Sequence, residues 1–300
     1  GGRVQFPHLY DEQRDWEMAI ADANAVKSHG VTTVVEPSAM FHSRDAAFSK
    51  RVADESGLNI VLASGVYTYD YLPQVLANRD EDAIAAIFVH EVENGIQGTG
   101  IKAAFIKCAA DAPGLTPTIE KIHRATARAS RQTGRPIMAH SRPASGTGLE
   151  QMRIFDEEGV DPAKVQIAHT GDTDDLDYID RLLATGCWIG MDRYGLDIYL
   201  PTDRRNATVL ALLERGRADR MFLSQDYCST IDWLAATSRA TASAASCTSS
   251  TAREISSSAR PAADRPIRPL PRTAACRAMA AARLAGQPRA SRWWTSSSQS

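Results

Sequence analysis

A regular alternation of short apolar segments with amphipathic ones constrains the fold of this chain more than any other feature. Apolar, often β-branched segments predict seven strands, over residues 31–36, 59–64, 103–107, 136–140, 165–169, 187–192 and 220–226. Apolar residues at helical spacing predict helices over 14–28, 43–57, 81–96, 116–133, 148–158, 174–185 and 208–215. Strand and helix therefore repeat at a pitch of roughly 25–40 residues, with short connections. This pattern predicts repeated βα units on a parallel sheet of the α/β class.

A (β/α)8 TIM barrel is the closed form of this pattern, and it needs eight βα units. The sequence shows seven predicted strands, and its first predicted element is a helix. We therefore expect an incomplete barrel whose first strand precedes Gly1. The alternation stops after Leu234, so the last helix of the barrel is also expected to be missing. Residues 1–234 are assigned to the barrel domain and residues 235–300 to a tail.

The charge changes sharply at this same boundary. Residues 1–234 contain 24 Lys and Arg against 34 Asp and Glu, whereas residues 235–300 contain ten Arg, no Lys, one Asp and one Glu. The tail is rich in Ala, Ser, Arg and Pro, and such a composition cannot bury enough apolar surface to offset the entropy of ordering. Two origins stay open, a coding sequence read in a shifted frame and a natural basic, disordered tail. The tail is not expected to fold, and it has no interleaved aromatics except Trp293-Trp294 at its very end, so we expect no nucleic-acid binding.

Composition and cysteine usage narrow the class of protein further. Hydrophobic residues make up 43% of the chain, which is sufficient for a sizeable core. No apolar run approaches the roughly 18 residues that a membrane span needs, and no secretory leader is visible. The five cysteines form no Cys-x-x-Cys pair. These features predict a protein of the reducing cytoplasm without a membrane partner.

Candidate chemistry is concentrated where the predicted strands end. Lys107, His140, His169 and Asp226 stand at the ends of four strands, and Arg193 follows a fifth. The carboxyl ends of parallel strands meet on one face of a barrel, so these side chains are expected to converge. Imidazole nitrogens and carboxylate oxygens bind Zn²⁺, Mn²⁺ or Co²⁺. A lysine ammonium would be repelled there, unless CO2 carboxylates the amine and makes it an anionic bridging ligand.

Five blocks of sequence, taken together, carry a resemblance to a known family. In chain order they read IKAAFIKCAAD, RPIMAHSRPASG, VQIAHTGDTDDLDY, GMDRYGLD and LSQDYCSTIDW. They resemble the phosphotriesterase family of the amidohydrolase superfamily, and within it the phosphotriesterase-like lactonase branch. The resemblance spans roughly residues 7–233.

This resemblance implies a site with two divalent metal ions, zinc or else manganese, cobalt or iron. Lys107 would be the carboxylated lysine that bridges both ions, and His140 and His169 would hold the more exposed one. Asp226 would bind the buried ion and take the proton of a bridging hydroxide. The two metal ions would lower the pKa of the bridging water and polarise the carbonyl or phosphoryl oxygen of the substrate. The hydroxide would then attack, and the lactone or ester would open.

The resemblance also implies the substrate class. The substrates would be lactones of the N-acyl homoserine lactone type, which implies quorum quenching, with promiscuous hydrolysis of organophosphate triesters. Arg193 would lie beside the substrate, Tyr67 would hydrogen-bond the lactone, and Cys228 and Trp233 would line the acyl-side pocket. Members of the family often form homodimers, so a homodimer is among the expected assemblies.

One departure from the family's pattern bears on activity. The family's first strand ends in His-x-His, which supplies two ligands to the buried ion, and this chain contains no His-x-His. His8 is not accepted as a substitute, and the remaining histidines are expected at the surface: His29, His42, His90 and His123. We therefore expect greatly reduced activity. The alternative function is an inactive, truncated or frameshifted barrel that binds at most one metal ion, and a cyclic-amide hydrolase is a third reading.

Plainer roles stay open for several of these residues. Arg193 could neutralise Asp192 or Asp197 instead of meeting a substrate. Tyr67 and Trp233 could be ordinary packing aromatics. Three acidic residues that follow the fifth strand are expected to be turn and helix-capping acids: Asp172, Asp174 and Asp175.

Overall fold

The computed structural model describes residues 7–68 and 70–228, which form a parallel sheet with helices between successive strands. The strands are β1 (Thr33–Glu36), β2 (Asn59–Gly65), β3 (Phe105–Ala109), β4 (Ile137–His140), β5 (Val165–Ala168), β6 (Trp188–Met191) and β7 (Met221–Leu223). Every neighbouring pair is parallel, and the order in the sheet is β1-β2-β3-β4-β5-β6-β7. Chain order and spatial order therefore coincide, as they do in a βα barrel.

Helices connect the strands and cover the sheet. They are α1 (Glu12–Ser28), α2 (Ala46–Ser56), α3 (Gln74–Ala77), α4 (Glu81–Glu93), α5 (Pro117–Thr133), α6 (Thr147–Glu157), α7 (Leu176–Ala184) and α8 (Thr202–Glu214). None of the helices in the described part of the chain is long and apolar enough to cross a membrane.

Local sequence accounts for where several helices begin and end. Thr116 caps α5 by accepting a hydrogen bond from the Ile119 amide, and Pro117 occupies the first helical position. The same helix ends at Gly134, whose φ of +72° lies in the left-handed region that glycine adopts without penalty. Asp175 caps α7, as predicted, by accepting from two amides of the first turn.

The core lies on both faces of the central strands. All five residues of β3 are buried, because helices cover one face and the barrel interior the other. The ionisable Lys107 is therefore enclosed at the centre of an otherwise apolar strand. This placement matters for the site, since a lysine amine in such surroundings is removed from water.

The α/β barrel class is confirmed, and the seven predicted strands are all present. The largest error in element bounds concerns α8, which begins at Thr202 and not at residue 208. Its first turn is polar, so apolar periodicity does not mark it, although Arg205 and Asn206 are buried. The prediction also missed α3, a four-residue helix.

The expectation that His123 lies at the surface is wrong. His123 is fully buried on the inner face of α5. Its Nδ1–H donates to the Ile119 carbonyl at 2.7 Å, and its Nε2 accepts from the Gln151 amide at 3.0 Å. Both polar ring atoms are thus satisfied, which allows an imidazole to be buried. His29, His42 and His90 are exposed, as predicted.

Candidate metal centre

The His140 side chain is held at the end of β4 by hydrogen bonds at both ring nitrogens. Its Nε2 lies 2.9 Å from Asp111 Oδ2, and its Nδ1 lies 3.0 Å from the Tyr67 hydroxyl. A carboxylate can only accept, so Nε2 carries the proton and Nδ1 presents its lone pair to Tyr67. Burial lowers the pKa of His140 to about 3, although the bond to Asp111 opposes this. The imidazole is therefore neutral at neutral pH, which is the form that binds metal ions.

His169 is also held by a carboxylate, that of Asp192, but through its other ring nitrogen. Its Nδ1 and its backbone amide both donate to Asp192 Oδ1, at 2.9 and 2.8 Å. The residue directly follows β5 with a φ of +64°, a left-handed conformation uncommon for residues other than glycine. Burial raises the pKa of Asp192, but its attraction to His169 and Lys107 outweighs this and holds that pKa at about 2. The carboxylate thus stays ionised and fixes the ring so that Nε2 faces the site.

The two histidine rings meet at the ends of adjacent strands. Their centroids lie 4.5 Å apart, with an angle of 74° between the ring planes. The Tyr67 ring packs edge-on against His140, with centroids 5.1 Å apart, and stacks on His42 at 4.5 Å on its other side. Tyr67 therefore lies at the predicted site, where its hydroxyl contacts a predicted metal ligand.

Asp226 and Arg193 also lie at this centre, on the segments that follow β7 and β6. Asp226 Oδ2 lies 3.9 Å from His169 Nε2, and the same oxygen accepts a hydrogen bond from Arg193 Nε at 2.9 Å. Burial raises the pKa of Asp226, but attraction to His169 and Arg193 outweighs it, so the pKa lies below its ordinary value. Asp226 is thus an ionised carboxylate beside an imidazole nitrogen.

Lys107 lies beneath these groups in β3 and is almost completely buried. Burial lowers its pKa, while the nearby carboxylates of Asp226 and Asp192 oppose that shift. The strand is very close to β2 here: a Cβ on Gly65 would lie 2.0 Å from the Lys107 carbonyl oxygen. Only a glycine with its φ of +97° allows this approach of the two backbones.

The donor set fits a divalent metal ion. Each histidine has a carboxylate on one ring nitrogen and directs the other into the site, an arrangement typical of metal-ligating histidines. His140 and His169 would hold the ion, with Asp226 and Lys107 beside them. In the described part of the chain, no three His, Cys, Asp or Glu side chains are already grouped as a metal site. His140 Nδ1 is hydrogen-bonded to the Tyr67 hydroxyl, and Asp226 Oδ2 is hydrogen-bonded to Arg193 Nε.

The remaining predicted site residues fall outside this group of contacts. Cys228 is exposed, two residues beyond Asp226. Trp233 lies outside the described residues, as does the tail over 235–300. The roles assigned to both residues in the acyl pocket stay predictions.

The structure revises two of the plainer readings. Asp172 does lie in a short turn, Thr170–Asp172, but its largely buried carboxylate also pairs with Arg193 Nη1 at 2.7 Å and with Arg205 Nη2 at 3.2 Å. The alternative partners suggested for Arg193 are wrong, since its ion pairs are with Asp172 and Asp226. Asp174 is exposed and pairs with Arg204.

The sequence interpretation missed the carboxylates behind the histidines. The sequence pattern suggests Asp192 only as a possible ion-pair partner of Arg193, and it predicts no role for Asp111. A usable signal exists for both residues, because each is an acid within two residues of the end of a strand at the carboxyl edge of the sheet. Their pairing with particular histidines depends on contacts between residues 29 and 23 positions apart.

A parallel βα barrel with carboxylate-supported histidines at its strand ends defines a class of metal-dependent hydrolases. The chain belongs to one family of this class, because the model of the Phosphotriesterase family matches residues 5–245. This is a family of binuclear, metal-dependent hydrolases.

Individual relatives agree with this assignment. The chain is 47% identical over 231 residues to the aryldialkylphosphatase of Saccharolobus solfataricus, covering 77% of this chain and 74% of the relative. It is 42% identical to a phosphotriesterase homology protein of Mycobacterium tuberculosis, over 75% of this chain and 71% of the relative. The solved structure of the phosphotriesterase from Mycobacterium tuberculosis superposes with a TM-score of 0.81 at 36% identity, covering 87% and 84% of the two chains.

Proposed function

We propose that this chain carries the site of a lactone-opening hydrolase that also cleaves organophosphate triesters. The preferred substrates would be N-acyl homoserine lactones. The observation that carries the proposal is the pair of carboxylate–histidine contacts, Asp111–His140 and Asp192–His169, which direct two imidazoles toward each other beside an ionised Asp226. Similarity to an aryldialkylphosphatase supports the phosphotriester activity.

The metal ions would supply Lewis acidity, which activates water and polarises the oxygen of the scissile carbonyl or phosphoryl group. His140 and His169 would hold them, and Lys107 would do so once its amine is carboxylated. Burial lowers the pKa of Lys107 and so favours the neutral amine, which is the form that reacts with CO2.

The chain's own residues have distinct tasks in this reaction. Asp226 would take the proton of the attacking water, since it is ionised and lies beside His169. Arg193 would donate hydrogen bonds to the substrate oxygen that gains negative charge, a contact that strengthens toward the transition state. The Tyr67 hydroxyl, now on His140, would donate to the lactone and orient its ring.

A chain of these 300 residues is expected to turn over slowly, because its sequence contains no His-x-His to hold the second metal ion. This observation favours a second candidate function, a non-catalytic barrel that binds at most one metal ion.

Metal content and turnover separate the two candidates. The chain would be loaded with Zn²⁺, Mn²⁺ or Co²⁺, its metal measured by mass spectrometry, and a panel of lactones, aryl phosphotriesters and cyclic amides assayed. Two equivalents of metal per chain, with lactone turnover that His169→Ala abolishes, would support the hydrolase. One equivalent or none without turnover would support the non-catalytic barrel, and preference for the cyclic amides would replace the proposed substrate class.

A further inference from the structure

A row of four alternating charges runs from the interior of the protein to the candidate metal centre. Arg205 Nη2 lies 3.2 Å from Asp172 Oδ1, and Asp172 Oδ2 lies 2.7 Å from Arg193 Nη1. Arg193 Nε in turn donates to Asp226 Oδ2 at 2.9 Å. Each carboxylate oxygen of Asp172 therefore binds a different arginine. Of these two arginines, Arg193 is the one that contacts Asp226 at the candidate metal centre.

The innermost member of this row is also bound to the main chain on both sides. The Arg205 side chain is fully buried, and its Nε donates to the Gly171 carbonyl at 3.0 Å. Its Nη1 donates to the carbonyl of Arg193 itself. One guanidinium from α8 thus joins the segment after β5, which carries Asp172, to the segment after β6, which carries Arg193.

Electrostatics make the central carboxylate necessary to this arrangement. Without Asp172, two buried guanidinium groups would face each other, and the loss of one partner from a buried charge pair is costly. On its other face, the Arg193 guanidinium lies 4.1 Å from the centre of the Tyr199 ring. Ring and carboxylates together limit Arg193 to one orientation, in which its Nε meets Asp226.

We propose that Asp172 and Arg205 are positioning residues, which hold the Arg193 guanidinium in place beside Asp226. The function of Arg193 toward a substrate oxygen rests on the proposed function, whereas its orientation by Asp172 and Arg205 does not. The chain contains a matched control pair. Asp174 and Arg204 are the sequence neighbours of the two proposed residues on the same segments, and they form an exposed ion pair that does not contact Arg193 in the described structure.

Side-chain NMR of the full ¹⁵N-labelled chain tests the orientation directly. The Nε–H signal of Arg193 is identified by its loss in Arg193→Lys, and its exchange with water is measured. We expect slow exchange in the unsubstituted chain, and exchange about tenfold faster in Asp172→Asn and in Arg205→Lys, since a released donor meets water. Asp174→Asn and Arg204→Lys should leave the signal unchanged.

Several outcomes would overturn the proposal. One is an Arg193 Nε–H that exchanges rapidly in the unsubstituted chain, and another is exchange that Asp172→Asn leaves unaltered. If Arg205→Lys does not fold, the nearly isosteric Asp172→Asn decides, with circular dichroism to show that its fold is kept.

Kinetics supply the second readout and separate this proposal from the proposed function. For a lactone, Asp172→Asn should lower kcat about tenfold while KM changes less than about threefold, because the misplaced Arg193 no longer stabilises the negative charge that develops in the transition state. The effect should disappear in an Arg193→Lys background, and an undiminished effect there would contradict positioning through Arg193. Absence of turnover in every variant would refute the proposed function, while the NMR result would still decide the positioning role.

Discussion

At the scale of single residues, the site depends on carboxylates that fix the tautomer of each histidine. Asp111 accepts a hydrogen bond from His140 Nε2, and Asp192 accepts one from His169 Nδ1. The other nitrogen of each ring therefore keeps its lone pair and can bind a metal ion. A histidine without such a partner could rotate or exchange tautomers. The strand-end positions of the histidines were predictable, but these supporting contacts were not.

Replacement of Asp192 by asparagine should weaken metal binding without unfolding the protein. An asparagine Oδ1 can still accept both hydrogen bonds from His169, as Asp192 Oδ1 does, but it carries no negative charge. We expect the dissociation constant for Zn²⁺ to rise about 10–100-fold, the usual effect of losing a supporting carboxylate. Titration against a competing chelator measures this.

Asp174→Asn is the control for that experiment, since Asp174 is exposed and pairs with Arg204 away from the histidines. It should leave Zn²⁺ affinity unchanged. Equal affinities for the Asp192→Asn variant and the unsubstituted chain would show that the Asp192–His169 contact does not organise a metal site.

At the scale of secondary-structure elements, α5 and α6 support β4 through a buried polar contact. Gln151 of α6 donates to the ring of His123 in α5 and also to the carbonyl of His140 at the end of β4, at 3.0 and 2.8 Å. Burial lowers the pKa of His123 to about 4, so the residue is neutral in the folded protein at neutral pH. Protonation would leave a buried cation and remove the acceptor that Gln151 uses.

Acid should therefore destabilise the fold through His123. Its folded-state pKa of about 4 lies below the unfolded value of 6.5, so the unfolded chain binds more protons as the pH falls below 6.5. The contribution of His123 to unfolding free energy should drop by about 2 kcal/mol between pH 7 and pH 5, and the loss is complete below pH 4.

Urea unfolding of the parent chain and of His123→Gln at pH 7 and pH 5 measures this contribution. Glutamine does not titrate, so the variant should lose about 2 kcal/mol less than the parent over that range. Parallel pH dependences for the two proteins would mean that His123 is not buried in its neutral form.

At the scale of the whole molecule, the acidic barrel and the basic tail differ in what their compositions can support. The barrel residues alternate in the pattern of βα units, and the described strands and helices follow that alternation closely. Residues 235–300 combine ten arginines with few large apolar side chains. Such a segment is predicted not to form a packed core.

An arginine-specific protease should therefore remove the tail and spare the barrel. The first arginine of the tail is Arg239, so brief digestion should leave a product that ends there, identified by its intact mass. The product is expected to melt at the same temperature as the full chain, because a segment of this composition is predicted to add no packed core. Earlier cleavage within residues 7–228, or a lower melting temperature of the product, would contradict this domain division.

The sequence by itself determined the order of strands and helices, the parallel α/β class and the strand-end positions of His140 and His169. These properties follow from local periodicity, which each segment carries without reference to the others. The predicted strand-end position of Lys107 is wrong, because β3 runs from Phe105 to Ala109 and places Lys107 at its centre. Only the tertiary structure decided which charged groups meet. Asp172 illustrates this, since its position in the sequence predicts a turn acid, whereas its ion pairs with Arg193 and Arg205 appear only in the folded chain. Those contacts join segments 21 and 33 residues apart, and burial strengthens them by excluding water, which no local pattern encodes.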